Sequence, residues 1–295
     1  MADIIDYSGD FDPDFSYSKL SRETLLKMLE AYGDYIRKID GHWYLEVMRK
    51  CGNETAFECD TAVWMRMDPF EMETTKRLLG TGGDTPLAMA KTLQASPWAV
   101  GTEAGAIEMT APVYDYGGDF DPSFDYGKLD KGALVALLGA YSNYIRKLDG
   151  HWYLSAMSRC GDDVAYDCDI DVWDRLMKLE LKIASEMMNI RGDGVSSIAK
   201  YFQISPWFWT FDYRLDLQDG DRLVVTFIKC PTLLALEKEG LGREGRICRE
   251  LEQDLFETIA HHFDPRIAVV PIQVPPRKSV DDVCCKWEFK LERDR

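Results

Sequence analysis

The sequence lacks a long apolar run. No stretch approaches the roughly 20 consecutive apolar residues that a membrane-spanning helix needs. The first residues, MADIIDYSGDFDPD, are acidic where a secretory signal would be basic and then apolar. We therefore expect a soluble, cytoplasmic protein without a membrane partner.

Positive charge is also scarce. Lys and Arg number 35 against 51 Asp and Glu, which gives a formal charge of −16. Such a surface repels phosphate backbones, so nucleic-acid binding is not expected. Glycine-rich nucleotide loops and the Gly-x-Ser-x-Gly signature are missing from any strand-to-helix context. Nucleotide-dependent and serine-hydrolase mechanisms thus lose their usual support.

What the sequence does contain is a tandem repeat. With a shift of 109 residues, YSGDFDPDFSYSKL from Tyr7 aligns with YGGDFDPSFDYGKL from Tyr116, and 33 of the 60 pairs starting at Tyr7 are identical. The period is too long for a solenoid. The repeat predicts two packed helical modules, copy one at 1–98 and copy two at 116–207, with a linker at 99–115.

The first helix of each module is the clearest. In copy one an apolar stripe at spacings of three and four runs from Leu25 to Val47, which predicts a helix. Ser21 is its expected N-cap and Gly52 its expected end. Copy two repeats this plan from Asp130.

Two more helices follow in copy one. Asp60 is expected to cap the second helix, which is kinked or restarted at Pro69 and ends near Gly80. A shorter third helix is expected over 85–93.

The copies diverge after a shared Ser-Pro-Trp sequence. Copy two continues into an extension, 208–295, where alternating apolar residues flank Asp219-Gly220, a strong hairpin signal. Two helices and two further strands, 267–274 and 283–291, complete it. The order predicts an α+β fold in which the duplicated helical modules precede an antiparallel sheet with helices on one face.

The string Asp-Gly-His-Trp-Tyr-Leu occurs twice, from Asp40 and from Asp149. A glycine inside a helix costs about 1 kcal/mol relative to alanine, and it usually admits a close contact. One interpretation is that the histidines border a cavity and handle protons. The favoured interpretation is that Asp and His tie the helix to its neighbours while Gly lets another helix approach.

Cysteines occur in two groups. Cys51 and Cys59 have counterparts Cys160 and Cys168, and their separation of eight does not match a compact zinc knuckle, so small buried side chains are the favoured interpretation. In the extension, three cysteines on three elements could converge on a metal or a reactive centre, and nearby histidines could supply a ligand or a base. These residues are Cys230, Cys248, Cys285, His261 and His262.

The acidic string from Asp10 to Asp14 has calcium-type ligands. It lacks the glycine and the glutamate of an EF-hand loop, and copy two has Ser123 in place of the third aspartate. A solvated turn held by its aromatic residues is therefore expected.

A family resemblance rests on the second copy and the extension. The residues that carry it are Asp149-Gly-His-Trp-Tyr-Leu, Trp173, Ser205-Pro-Trp, and the tail Cys230…Cys248…Asp264-Pro-Arg-Ile…Pro275-Pro…Cys285-Lys-Trp-Glu-Phe. Residues 116–293 resemble one member of a family of largely uncharacterised prokaryotic cytosolic proteins, related to L-2-amino-thiazoline-4-carboxylic acid hydrolase-like proteins. Residues 7–98 resemble the helical half of such a member, present as an extra N-terminal copy.

The tail also resembles the four-vinyl-reductase type of sensing domain, in which cysteines hold zinc beside an apolar pocket. These resemblances imply a hydrolase and indicate Cys230, Cys248 and Cys285 as ligands of zinc or iron. Such tails often carry another cysteine before the Pro-Pro, where this chain has Val270, Pro271 and Ile272.

Two functional hypotheses follow. The first is an enzyme that hydrolyses a small molecule of the heterocyclic or sulfur-containing class, with catalysis assigned to Cys285, His151, His262 and Asp149. The second is a small-molecule-binding or sensory module with a structural thiolate metal site. The substrate contacts are assigned to Trp152, Tyr153, Trp207 and Trp287. In the second hypothesis the aromatic residues Trp152, Trp207, Trp209 and Trp287 line an apolar cavity. Copy one is expected to replace a dimer partner within a monomer, with a homodimer as the alternative.

Overall fold

Long helices come first along the chain, and a sheet follows them. The computed structural model describes residues 6–83, 85–98, 116, 119–192, 194–218 and 220–292. The predicted linker at 99–115 lies outside these residues. The helices of the two copies are α1 (Arg22–Cys51), α2 (Asn53–Leu79), α3 (Pro86–Gln94), α4 (Lys131–Cys160), α5 (Asp162–Met187) and α6 (Val195–Ile204).

The first helix of each copy begins and ends as the sequence predicts. Ser21 and Asp130 are the N-caps of α1 and α4, and each side chain accepts a hydrogen bond from a backbone N–H of the first turn. Both helices end at a glycine, Gly52 or Gly161, whose φ of 90° or 91° lies where other residues are strained.

Helix α2 differs from the prediction at two positions. It begins at Asn53, directly after Gly52, so Asp60 lies inside the helix and does not cap it. Pro69 also lies within the same unbroken helix. A proline removes only one backbone donor, and the packing of α2 against α1 and α4 offsets that local cost.

Helices α1 and α4 lie side by side, parallel and in register. Near their starts, the Arg22 guanidinium donates to the carbonyl of Leu129 at 2.9 Å. At mid-length the rings of Trp43 and Trp152, which are equivalent residues of the two copies, stack with centroids 6.4 Å apart. Contacts between equivalent levels of the two helices place a pseudo-twofold axis along the helix pair.

The extension forms the predicted hairpin and sheet. Its elements are β1 (Asp212–Gln218), β2 (Arg222–Lys229), α7 (Pro231–Glu239), α8 (Glu244–Arg246), a π-helical turn (Ile247–Leu251), α9 (Glu252–Phe263), β3 (Ile267–Gln273) and β4 (Cys285–Leu291). The strands are antiparallel in the order β1-β2-β4-β3. Phe202 of α6 packs among aromatic rings of the extension, including Phe208, Phe227, Phe256 and Phe289. The α+β class is confirmed.

Two compact units are present. The first contains residues 16–172, and the second contains 6–15 with the chain from Trp173 onward. No helix within the described ranges combines the length and the apolar character needed to cross a membrane.

The acidic turn of each copy packs on helices of the other copy. In the second unit, Tyr7 N–H donates to the Met188 carbonyl at 2.7 Å, and its hydroxyl donates to Gln203 at 2.6 Å. In the first unit, Tyr116 N–H donates to Leu79 at 2.7 Å, and its hydroxyl donates to Gln94 at 2.6 Å. The two copies have therefore exchanged their acidic turns: each turn packs on the other copy's helices.

The turn itself has the expected form. The Asp12 carboxylate accepts from the Asp14 N–H at 2.9 Å, and the ring of Tyr7 stacks on Phe15 with centroids 5.1 Å apart.

Candidate functional site

The repeated Asp-Gly-His-Trp-Tyr-Leu string lies at the contact between α1 and α4. Trp43 Nε1 donates to Asp149 Oδ1, and Trp152 Nε1 donates to Asp40 Oδ1, each at 2.8 Å. Both tryptophans are fully buried. These reciprocal bonds satisfy the buried indole N–H groups, so the aspartates tie neighbouring helices together, as the favoured interpretation expected.

The expectation for the glycines is wrong. A Cβ added to Gly41 or Gly150 would meet nothing within 4 Å outside its own helix. Neither glycine is therefore required by close approach of another helix.

His151 lies in a half-buried position in α4. Burial and the cations Arg66 and Lys147 lower its pKa, so the ring is neutral at pH 7. Its neighbour Tyr153 donates to Asp162 at 2.9 Å. The Tyr153 bond therefore links α4 to the first residue of α5.

The cysteines of the extension lie in one region of the second unit. Cys230 caps α7, and its backbone N–H lies 3.3 Å from Cys284 Sγ. Burial raises the pKa of Cys230 to about 12 and holds that of Cys285 well above its usual range. Cys248 is also buried, and it interacts electrostatically with Cys230 and Cys285.

The metal and nucleophile roles predicted for these thiols can be compared with their surroundings. Within the described ranges, no group of three or more His, Cys, Asp or Glu residues could hold a metal ion. The raised pKa of Cys285 also favours the neutral thiol, which is a poor nucleophile. The metal and nucleophile assignments made from the sequence stay predictions.

The remaining sequence-predicted residues lie elsewhere in the second unit. Trp287 is fully buried in the sheet core, and Trp207 is half-buried with its ring edge-on to Trp173. His262 Nε2 lies 3.2 Å from Ser185 Oγ, and burial lowers its pKa. His262 lines a cleft of about 500 Å³ with residues of α5 and α9.

A larger cleft lies in the first unit, where the sequence predicted no site. Its volume is about 760 Å³, within the usual range for small-molecule sites. Its lining residues are Asp40, Asp60, Trp64, Asp68, Glu71, Met72, Leu93, Ser96 and Trp98. The cleft thus combines four carboxylates with two indole rings.

Helix α2 supplies most of these side chains from one face. Asp60, Trp64 and Asp68 follow each other at intervals of four residues, and Glu71 continues the same face. The rings of Trp64 and Trp98 meet edge to face with centroids 4.9 Å apart. The two indoles therefore form one aromatic wall beside the carboxylates.

Asp40 is the most perturbed carboxylate of the cleft. Its removal from water raises the pKa to about 6, and the nearby carboxylate of Asp60 acts in the same direction. Hydrogen bonds from Trp152 and Trp64 oppose the shift. Among the described residues, the groups that stabilise the charge of Asp40 are the indole N–H donors of Trp152 and Trp64.

Glu71 has a similar environment. Burial raises its pKa, although hydroxyl groups of Ser96 and Tyr144 and the indole of Trp98 donate to it. The Tyr144 hydroxyl lies 3.0 Å from Glu71 Oε2. Tyr144 belongs to α4, so the second copy positions a carboxylate of the first.

The equivalent residues in the second copy form a closed arrangement. Glu180 corresponds to Glu71, and it accepts from Tyr201 at 2.6 Å and from Ser205 at 2.5 Å. It is only 4% exposed. At the position equivalent to Tyr201, copy one has Thr92. Its side chain is shorter than that of tyrosine and does not replace the bond that Tyr201 donates to Glu180.

Leu93 of copy one also replaces a larger ring. It is 59% exposed, whereas its counterpart Phe202 is fully buried under the sheet. Glu71 of copy one therefore lines a cleft, whereas Glu180 of copy two is enclosed in the core.

Sequence reasoning missed the cleft for a physical reason. Carboxylates spaced along a helix are usually a solvated face, and Trp98 comes from a separate segment. The informative signal was Trp64 between Asp60 and Asp68 on the same helix face, because an aromatic ring is unusual among solvated carboxylates.

The chain belongs to a family of unknown function, DUF6125, whose profile matches residues 127–291. No curated protein matches the chain. No solved structure matches it either. The resemblances to thiazoline-carboxylate hydrolase-like and four-vinyl-reductase-like proteins remain predictions. The residues that line the large cleft, from Asp40 to Trp98, lie outside the matched range.

Proposed function

We propose that this member of the DUF6125 family is a small-molecule-binding protein whose large cleft takes a small organic cation, such as a protonated amine. The observation that carries the proposal is the joint presence of Asp40, Glu71, Trp64 and Trp98 around one cleft.

The charges of the cleft support a cationic ligand. Asp40 and Glu71 are largely removed from water, and the groups that act on them are hydrogen-bond donors or other carboxylates. A buried carboxylate without a cation is unfavourable. A bound ammonium group would offset that cost, and hydrogen bonds between charged partners are the stronger kind.

The aromatic wall supports an organic cation over a bare metal ion. The faces of indole rings attract cations, and the attraction is strongest when water is excluded. Met72 and Leu93 add apolar surface for the carbon part of the ligand. An alkyl or aryl amine would use both features.

Calorimetric titration tests this proposal with defined probes. Phenethylamine and spermidine should bind, and 2-phenylethanol, the neutral analogue of the first, should bind at least about tenfold more weakly because it cannot form charge-assisted bonds. Equal affinity for phenethylamine and 2-phenylethanol, or no binding of either amine, would overturn the proposal.

Two variants sharpen the experiment. Glu71→Gln should lower amine affinity about tenfold or more. Glu180→Gln is the matched control, because Glu180 is the equivalent residue of copy two and does not line the cleft. Equal loss in both variants would indicate a structural effect and count against the cleft.

The pH dependence provides an independent check. Asp40 must be ionised to attract an ammonium group, and its pKa is raised to about 6. Amine affinity should therefore rise between pH 5 and pH 7, and this rise should be smaller in Asp40→Asn.

Hydrolysis of a small molecule is the second candidate. One observation favours it: a carboxylic acid with a pKa of about 6 can hold and release a proton near neutral pH, as a general acid must. In this case turnover of a bound amine-containing ester or amide should be lost in Asp40→Asn and retained in Asp149→Asn, which changes the equivalent residue outside the cleft.

A further inference from the structure

Four cysteines of the helical copies lie close together in the first unit. Cys160 interacts electrostatically with Cys51, Cys59 and Cys168. They come from α1, α2, α4 and α5, and they form two equivalent pairs related by the repeat. The separation of eight residues between the two cysteines of each copy did not indicate that all four would lie close together.

Two of these cysteines lie at equivalent helix ends. Cys51 is the last residue of α1, and Cys160 is the last residue of α4. Because the two helices are parallel and in register, their last residues are at the same level. Cys51 is also among the groups that act electrostatically on Cys160.

Exposure separates this pair from the other two cysteines. Cys59 and Cys168 are fully buried, whereas Cys51 and Cys160 are half-buried. A dissolved oxidant therefore reaches Cys51 and Cys160 more readily than Cys59 and Cys168.

We propose that Cys51 and Cys160 are an oxidation site, at which a disulfide bond forms and links the two helical copies at the ends of α1 and α4. A disulfide needs Cα atoms about 4.4–6.8 Å apart. Cys51 and Cys160 are equivalent last residues of two parallel helices that pack against each other, which places them to approach this separation.

Hydrogen peroxide oxidises the two thiols in two steps. The Cys51 thiolate attacks one peroxide oxygen, the O–O bond breaks, and the departing hydroxide takes up a proton to become water. Cys51 is then a sulfenic acid. Cys160 sulfur attacks the Cys51 sulfur, the S–O bond breaks, and the thiol proton leaves with the hydroxyl group as a second water. Two thiols are oxidised, and one peroxide is reduced.

The environment of Cys160 sets the rate of the second step. Burial, together with the neighbouring Cys51 thiol, raises the pKa of Cys160 to about 12. Only a small fraction is thiolate at neutral pH, so bond formation should become faster as the pH rises from 7 to 9.

Thiol counting on the full-length protein tests the proposal. After treatment with hydrogen peroxide and unfolding, the alkylatable thiols should fall from eight to six. Peptide mapping should identify a Cys51–Cys160 link that dithiothreitol removes.

The variants provide matched controls. Cys51→Ser and, independently, Cys160→Ser should abolish the link, while the double variant with Cys59→Ser and Cys168→Ser should still form it. Circular dichroism of each variant would confirm that it is folded. Eight remaining thiols in the oxidised wild-type protein, or a link that maps to another pair, would overturn the proposal.

Discussion

Replacing Asp40 by asparagine should stabilise the protein at pH 7. The pKa of Asp40 is raised from 3.8 to about 6 because burial disfavours its charge. One pKa unit corresponds to about 1.36 kcal/mol, so ionising Asp40 at pH 7 costs the folded state roughly 3 kcal/mol. Screening by water at the cleft reduces this, and we expect a gain of about 2 kcal/mol in the free energy of unfolding.

The sign follows from the direction of the shift. The folded pKa lies above the unfolded one, so the stability associated with protonated Asp40 is complete below pH 3.8 and is lost as the pH rises through about 6. Wild type and Asp40→Asn should therefore be equally stable near pH 4. They should differ most at pH 7.

Urea denaturation followed by circular dichroism at pH 4, 5, 6 and 7 measures this difference. Asparagine keeps an oxygen that can accept from Trp152 Nε1, as Asp40 does at 2.8 Å. Asp40→Ala removes that acceptor and should be destabilising by about 1–3 kcal/mol. If Asp40→Asn were no more stable than wild type at pH 7, or if its advantage persisted at pH 4, the reasoning would be refuted.

Three further predictions concern other parts of the fold. Trp152→Phe should lower the free energy of unfolding by about 1.5–3 kcal/mol because a buried bond to a carboxylate is lost, and Trp43→Phe should have a similar effect in the same denaturation assay. Phe202→Ala, which empties the centre of the aromatic cluster under the sheet, should cost about 3–5 kcal/mol, measured as a shift of the urea midpoint. Cys285 should react slowly with iodoacetamide at pH 7.5 and much faster at pH 10, because its pKa is well above the usual value; rapid labelling at pH 7.5, followed by mass spectrometry, would contradict this.

The elements that sequence predicts well are those with local signals. Ser21 and Gly52 define α1 through cap chemistry that involves only neighbouring residues, and the hairpin of β1 and β2 follows from alternating apolar residues. The start of α2 was missed because Gly52 ends one helix and immediately precedes the next. The restart considered at Pro69 does not occur, because packing against other helices outweighs one lost hydrogen bond.

The site was harder to predict because it depends on contacts distant in sequence. The bond between Tyr144 and Glu71 joins residues 73 apart, and that between Trp152 and Asp40 joins residues 112 apart. The aspartate of the repeated string was predicted to tie helices together, but which residue it contacts depends on the in-register pairing of α1 and α4. The repeat alone did not indicate that the surroundings of Glu71 would form a cleft while the equivalent surroundings of Glu180 would be buried.

The exchanged acidic turns have a consequence for the order in which the chain can fold. The turn at Tyr116 contacts Gln94, only 22 residues earlier, so both partners are present soon after synthesis. The turn at Tyr7 contacts Gln203, 196 residues later. A ribosome makes the Tyr7 segment before the helices of copy one, yet its docking helix, α6, emerges only after both copies are nearly complete. The same short motif is therefore among the early contacts at one place and among the late contacts at the other.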